Sequence, residues 1–461
     1  MPQLCSKSSV NSSSFISSFN TSLFTRIVCL SVDAYVFFES CADRCAVIME
    51  DPSGAGRKFV ASLDGHGQWL RQNEDEEVFF QQWKHALKAV DSDSPAIRLL
   101  FYAAYEASIA LETLPEPLTQ TPEGLIWLHQ PVWSLCFDAE KRCVFMASIR
   151  SEAELDELEL MLKQAGQTCD ASFPCVSMPA WVESQITERT HTDYRRMVPK
   201  VIQYIEAGDV FQANIARLWQ MPCQEHHLLA IYKSLRSVNS APFSCFLKAD
   251  ALTIISASPE RLFRINQQRV VETRPIAGTR KRSKHQAGDD ELREELLLSD
   301  KERAEHLMLV DLERNDLGRV CKPGSVEVDE FMSIEAYATV QHIVSNVRGI
   351  LRDDCDVVDV FKAMFPGGTI TGCPKIRCME IIHELEAQAR GPYTGGVGYV
   401  AWNGEADMNI LIRTFWHHEE KLHWAAGAGI VADSNPQHEK SETEHKAEGL
   451  LRALGKLKLD Q

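Results

Sequence analysis

The sequence predicts an α+β protein, and three observations carry that reading. Short apolar runs bounded by Gly, Asp and Ser turns recur from about Arg26 to Pro179. Charged stretches at helical spacing interrupt them, notably Glu74–Val90 and Ser151–Gln164. Further on, Phe243–Leu247 and Leu252–Ser256 are apolar runs one tight turn apart, as antiparallel neighbours are.

In chain order, residues 1–24 are rich in Ser and Asn and free of acids, which predicts a disordered extension. Lys7 and Arg26 supply too little positive charge for a transit peptide. An N-terminal α+β region is expected over 25–188, with strands at Ile27–Leu30, Ala34–Phe38, Ala46–Met49, Arg98–Tyr102 and Cys143–Ala147. Ser172–Glu188, which contains Pro174 and Pro179, reads as a linker to a second region over 189–461. There Tyr194–Ala207 reads as a helix despite Pro199, and Gly208-Asp209 ends it before the run Val210–Ile215. Val270–Glu272 leads into the segment Arg274–Thr279.

The densest signal lies in Phe365–Ala389, FPGGTITGCPKIRCMEIIHELEAQA. Gly367, Gly368 and Gly372 make a loop, and Pro374 suits a first helical residue, where its missing N–H costs nothing. Ile376, Met379, Ile382 and Leu385 then recur at helical spacing. Exposed N–H groups and the positive end of the helix dipole favour an anion at such a place. A tight turn leading to a core helix explains the same pattern, and the residues alone leave both readings open. A Walker A loop is excluded, because Cys373 and Pro374 stand where Lys and Ser or Thr are required. A zinc-protease helix is excluded too, since the second His after His383-Glu384 would fall at Ala387. Gly427–Ala432 fits the dinucleotide fingerprint by letter, but Asp433-Ser434-Asn435-Pro436 is a turn where a helix should already run. A strand whose glycines admit a ligand to the backbone is the better reading.

Composition narrows the function. The chain has 461 residues and a net charge of -17, which argues against nucleic acid as a partner, because phosphate contacts need a basic surface. Fourteen cysteines are scattered, with Cys41-x3-Cys45 the nearest approach to a pattern, so reduced thiols in a cytoplasmic protein are expected. No apolar run approaches the ~18 residues of a membrane span.

Two helices carry carboxylates in stripes. Ser299-Asp300-Lys301-Glu302 is a capping box that opens a helix to about Asn315. Glu302 and Glu305 share a face with Leu309 and Leu312, which turns Glu305 inward. The cap alone explains Glu302, whereas a buried Glu305 must be paired, protonated or bound to a cation. The last helix, about His438–Gly455, repeats the arrangement with Glu439, Glu442 and Lys446. A solvated, salt-bridged face is the better reading of that spacing taken alone. Two inward glutamates would suit Mg²⁺, which takes one or two carboxylates plus waters and substrate oxygens.

The motifs SASPERL, TRPIAGTR, KERAEHLMLVDLERNDLGRV, VQHIVS, FPGGTITGCPKIRCMEII, GPYTGGVGY, IRT, and GAGIVADS with SETEHKA together resemble the chorismate-utilising enzymes. That family includes anthranilate, aminodeoxychorismate, isochorismate and salicylate synthases. The likeness spans roughly His191–Leu454. It implies large antiparallel sheets packed face to face with helices outside. It also implies that Glu305 and Glu442 hold Mg²⁺ against the ring carboxylate of chorismate, with Glu302 and Glu439 beside them holding metal-bound water. Tyr393, Arg413 and Gly427, Ala428 and Gly429 match positions that bind the enolpyruvyl carboxylate, and Thr369 and the Gly367–Gly368 backbone belong to that pocket. Glu260 and His342 match residues near the departing ring hydroxyl, where a proton donor is needed. Lys446 matches a lysine of the metal and carboxylate network. The N-terminal region resembles the part of the family that can hold tryptophan, but its early segments diverge too far to assign that pocket.

Within the family, the water-adding enzymes have a lysine base where this chain has Gln212. A neutral amide cannot take a proton from water, so Gln212 favours the members that add ammonia. FPGGTITG resembles the aminodeoxychorismate synthases, whereas anthranilate synthases more often read FPAGT with SG. One position disagrees: Ala277, two residues before Thr279, stands where many aminodeoxychorismate synthases place a nucleophilic lysine. The expected reaction is chorismate plus ammonia to 4-amino-4-deoxychorismate, with ammonia from a separate glutamine amidotransferase subunit. Anthranilate formation is the alternative, and a non-catalytic chorismate-binding subunit is the alternative of another class.

Overall fold

Several strands of this chain are apolar at consecutive positions, so both of their faces must be covered, and that requirement sets the architecture. The computed structural model describes residues 22–30, 32–51, 56–88, 92–112, 114, 124–167, 185–190, 192–239, 241–281, 293–296, 298–336 and 340–455. Within them two antiparallel sheets form. The first runs in space as Phe24–Val28, Cys143–Ser148, Trp133–Asp138, Arg57–Ser62, Cys45–Glu50, Phe243–Ala249, Leu252–Ser258, Thr414–His418, Lys421–Ile430, Gln212–Pro222 and Gly372–Cys373. Thr187–Glu188 pairs beside Gln212–Pro222 as a twelfth strand. The second runs Ile276–Lys281, Val340–Ile350, Val270–Thr273, Arg261–Ile265, Ala406–Asn409, Gly396–Ala401, Ile97–Ala103, Ile126–Pro131 and Gly65–Leu70, with Glu327–Ala336 beside Val340–Ile350.

Period-two alternation then sorts side chains into layers. Val47, Phe59, Leu100, Tyr102, Trp127, Ile254 and Tyr399 meet between the sheets, and the Phe59 and Tyr399 rings lie 4.7 Å apart there. Their neighbours Ile48 and Ile255 face outward to helices Ala34–Ser40, Glu152–Gln167, Leu228–Val238 and Pro436–Ala453. Leu99, Phe101 and Ile126 face outward on the other side, towards helices Glu76–Ala86 and Val357–Met364. Trp83 joins those two helices to the sheet, with ring centroids 5.0 Å from Phe101 and 5.4 Å from Phe361. The order is helix, sheet, sheet, helix: an α+β fold of face-to-face antiparallel sheets.

The sequence regions 25–188 and 189–461 share both sheets. Cys45–Glu50 pairs with Phe243–Ala249, and Ile97–Ala103 pairs with Gly396–Ala401. Four local expectations change. Ala34–Phe38 is helical, because Asp33 caps it by accepting from the Tyr35 N–H at 2.7 Å and its apolar residues fall on one buried face. A five-residue apolar run does not distinguish strand from buried helix. Pro374 is the N-cap, extended at ψ 142°, and the helix begins one place later at Lys375. The expected linker ends in the strand Thr187–Glu188, where Glu188 pairs with Arg217 at 2.8 Å; most of its length, 172–184, lies outside the described residues, as do 1–21 of the expected extension. Phe24 already opens a strand. No helix among the described residues is long and apolar enough to cross a membrane.

Candidate active site

The site is built on two bare stretches of backbone. In the glycine-rich loop, a Cβ on Gly368 would stand 2.3 Å from Leu312 Cδ2. Gly372, at φ +127°, lets Gly372–Cys373 pair with Gln212–Ala213. The Thr371 hydroxyl donates to the Gly367 carbonyl at 2.9 Å and ties the loop to itself. The second stretch is strand Lys421–Ile430, where Gly427, Ala428 and Gly429 pair with Ala216, Ile215 and Asn214. A Cβ on Gly427 would meet Asn214 Oδ1 at 2.5 Å and the Tyr393 hydroxyl at 2.9 Å; one on Gly429 would meet Gln212 Nε2 at 2.1 Å. Tyr393, Asn214 and Gln212 therefore cover the bare strand. The Ala428 methyl points to the other face and is packed in the core, so only its backbone borders the site.

Helix Asp300–Gly318, capped where the Ser299 hydroxyl accepts from the Glu302 N–H at 3.3 Å, supplies Glu302 and Glu305. Gln212 Nε2 donates to Glu305 Oε1 at 2.9 Å. Glu302 lies against Gly278, whose added Cβ would be 2.9 Å from Glu302 Oε2. Helix Pro436–Ala453 supplies Lys446, which donates to the Gly427 carbonyl at 3.0 Å and pairs with Glu442 at 2.8 Å. Glu439 is buried, whereas the Glu442 and Lys446 side chains are half exposed. Glu305 and Glu442 thus reach the two ends of the Gly427–Gly429 strand from separate helices, through Gln212 and Lys446. Among the described residues no group of three or more His, Cys, Asp or Glu forms a ready-made metal cage. Carboxylate oxygens in pairs suit a hard cation that keeps waters and substrate oxygens.

The remaining side chains gather behind the loop. Glu260 is buried, and burial pushes its carboxyl up to about 7 against the opposing pull of the Thr369 hydroxyl, Arg413 and Lys446. Thr369 stands beside Glu260, yet neither Thr369 Oγ1 nor Glu260 Oε1 has a well-aligned hydrogen bond. His342 is pushed down to about 4 by burial and by Arg413, so it is neutral at working pH. Its Nδ1 is 3.3 Å from the Gly278 carbonyl, which assigns the proton to Nδ1. Ala277 is buried opposite Ile343, and the Thr279 backbone pairs with His342 across a bulge. Glu260 Oε1, Thr369 Oγ1, Gln212 Oε1 and Asn214 Oδ1 are all buried without hydrogen-bond partners. Buried polar atoms are normally satisfied, so these four are candidates for contact with a ligand.

Most of the expected residues border these two stretches, but three residues that hold them were not foreseen. Arg390 is fully buried and donates to both oxygens of Glu386 at 2.9 and 2.6 Å, to the Ile370 carbonyl at 3.3 Å and to the Asn214 carbonyl at 2.7 Å. Glu106, from the N-terminal region, accepts from the Arg390 and Gly391 N–H groups at 2.7 and 3.0 Å. The i,i+4 spacing of Glu386 and Arg390 was the one available signal. Lys375, the first residue of helix Lys375–Glu386, pairs through its Nζ with the buried Asp316 at 2.6 Å.

These buried groups fix how stability varies with pH. Glu106 and Glu260 are pushed up to about 7 and Glu313 to about 8, so the folded state holds protons that the unfolded chain has lost above ~4.3. Their contribution declines as pH rises, by up to ~1.4 kcal/mol per pH unit each. His306, His342 and His423 are pushed down to about 4, 4 and 3, so theirs grows until pH ~6.5 and then stops. The two trends offset below pH ~6.5, and only the loss remains above it. Thermal melts should show Tm falling between pH ~6.5 and ~8; a rising Tm there would contradict the assignment.

Against known proteins, the sequence matches the chorismate binding enzyme family over residues 35–452. It is 43% identical over 435 residues to aminodeoxychorismate synthase component 1 of Bacillus subtilis, covering 88% of this chain and 91% of that one. It is 42% identical over 358 residues to an anthranilate synthase component I-like protein of Synechocystis, covering 77% and 72%. In three dimensions it is similar to the crystal structure of anthranilate synthase component I from Streptococcus pneumoniae, with TM-score 0.71, 28% identity, and 86% and 92% of the two chains covered.

Proposed function

The chain belongs to the chorismate binding enzyme family, and from that premise we propose that it is the chorismate-aminating subunit of an aminodeoxychorismate synthase. Gln212 is the observation that carries amination: the group between Glu305 and the Gly429 backbone is a neutral amide, which cannot serve as a base for water. Amination at C4 is supported by the near full-length similarity to the Bacillus subtilis component 1.

In this reading Tyr393, Arg413 and the Gly427–Gly429 backbone receive the enolpyruvyl carboxylate, beside Thr369, Gly368 and the strand carrying Ala277 and Thr279. Glu305 and Glu442 would hold Mg²⁺, with Glu302 and Glu439 holding its water; bound there, the ion supplies positive charge opposite the ring carboxylate. Glu260, protonated near neutrality, donates its proton as the C4–O bond breaks, and water leaves. Neutral His342, its proton directed to Gly278, offers a lone pair and serves as an acceptor. Lys446, tied to Gly427 and Glu442, orients the carboxylate network. Ammonia forms the new C–N bond and loses a proton. It would come from a glutamine amidotransferase subunit, consistent with the relative's designation as a component 1.

The test is to incubate the purified chain with chorismate, Mg²⁺ and ammonium at alkaline pH and follow products by mass and fluorescence. The expected product keeps its enolpyruvyl group and becomes 4-aminobenzoate only when a lyase is added. Chelation should abolish turnover and Mg²⁺ restore it. Anthranilate with pyruvate would move the chain to the alternative that Ala277 and the Synechocystis relative favour. No turnover with ammonium or with glutamine plus amidotransferase would favour a binding subunit.

A further inference from the structure

Glu313 is a buried acid that the chemistry above leaves unused. It is 4% exposed on helix Asp300–Gly318 and lies beneath the glycine-rich loop. Its Oε1 is 3.5 Å from where a Cβ on Gly368 would stand, and the Gly368 N–H donates towards its carboxyl. Its Oε2 is buried with no hydrogen-bond partner. The next residue of the loop is Thr369, whose hydroxyl stands beside Glu260. A line of polar groups therefore runs from Glu260 through Thr369 and the Gly368 N–H to Glu313.

We propose that Glu313 is a positioning residue for Glu260: it fixes the Gly368 backbone and thereby sets the Thr369 hydroxyl against the Glu260 carboxyl. The inference rests on the reading of Glu260 as proton donor.

Charge and hydrogen bonding explain why an uncharged acid belongs there. Three groups face Glu313: Asp316 on its own helix, Lys375 from the adjoining helix, and Glu260 across the loop. Behind Asp316 stand Arg319 and Cys373. Lys375 is committed to Asp316 at 2.6 Å and to the Met364 carbonyl at 3.0 Å. A second ionised carboxylate would have no cation of its own and one oxygen without a donor, which is costly in a buried place. Burial, Asp316 and Glu260 together push Glu313 up to about 8. An apolar side chain there would strand the Gly368 N–H, whereas an amide would satisfy it without charge.

The experiment compares wild type with Glu313→Gln and Glu313→Leu, measuring chorismate consumption from pH 6 to 9.5 at fixed free ammonia, with Tm for each variant. E313Q should keep kcat at pH 7 within about twofold, and E313L should lose about tenfold in kcat with KM nearly unchanged. Above pH 8 the wild-type kcat should fall with the loss of two protons, but that of E313Q with the loss of one. Equal damage in both variants, wild-type kcat in E313L, or identical alkaline limbs in wild type and E313Q would each overturn the proposal. If E313L does not fold, the comparison of alkaline limbs decides alone. Absence of wild-type turnover would instead strike the proposed function, a result that no Glu313 variant can produce.

Discussion

Glu260→Gln is expected to lower kcat for chorismate by about 10²–10⁴-fold, the usual worth of a positioned proton donor, with KM within a few-fold. The substitution keeps volume and hydrogen-bonding capacity and removes only the transferable proton. The sign of the pH effect follows from the buried carboxyl being pushed up to about 7. Its acid form is lost as pH rises through that value, so wild-type kcat at fixed free ammonia should decline there, and residual E260Q activity should not. Stability moves the other way. Above pH 7 the wild type must ionise a carboxyl with an undonated Oε1, and the amide need not. E260Q should therefore melt at or above the wild-type temperature at pH 8. Retention of wild-type kcat by E260Q would remove Glu260 from the chemistry.

Arg390→Met should lower stability by about 3–5 kcal/mol, because it removes the cation partner of Glu386 in a fully buried place. The loss also frees the carbonyls of Ile370 and Asn214, which belong to the glycine-rich loop and to the strand opposite Gly429. Replacing both partners, Glu386→Met with Arg390→Met, should recover part of the cost, since a removed pair is cheaper than a broken one. Urea unfolding of the single and double variants measures this directly. Equal midpoints for wild type and R390M would mean the network does not hold the site.

Much of the fold was legible because burial leaves period and punctuation in the sequence. Phe243–Leu247 and Leu252–Ser256 are paired strands, and the Ser299 cap opens its helix. Ala34–Phe38 failed because a short apolar run is equally a strand buried on both faces or one buried helical turn. What opposes what was not legible: Ile97–Ala103 meets Gly396–Ala401, and no local pattern encodes a partner that far away. The site divides the same way. Glu305, Glu442 and Lys446 were visible as helical stripes, and the glycines as bare backbone. Arg390 and Glu313 were not, since their significance lies in carbonyls and N–H groups contributed by distant segments.

The interleaving of the two regions also constrains how the chain can be made. Ile97–Ala103 finds one neighbour nearby, in Ile126–Pro131, but its other edge closes only on Gly396–Ala401, roughly 300 residues later. At ~5–20 residues per second of synthesis, that edge stays open for about 15–60 s. An apolar strand with unpaired N–H and C=O groups is a template for any other strand that reaches it. The ribosome-bound chain therefore carries a half-built sheet through most of its own translation. Keeping that edge apart from other nascent chains falls to the cell and not to the native structure.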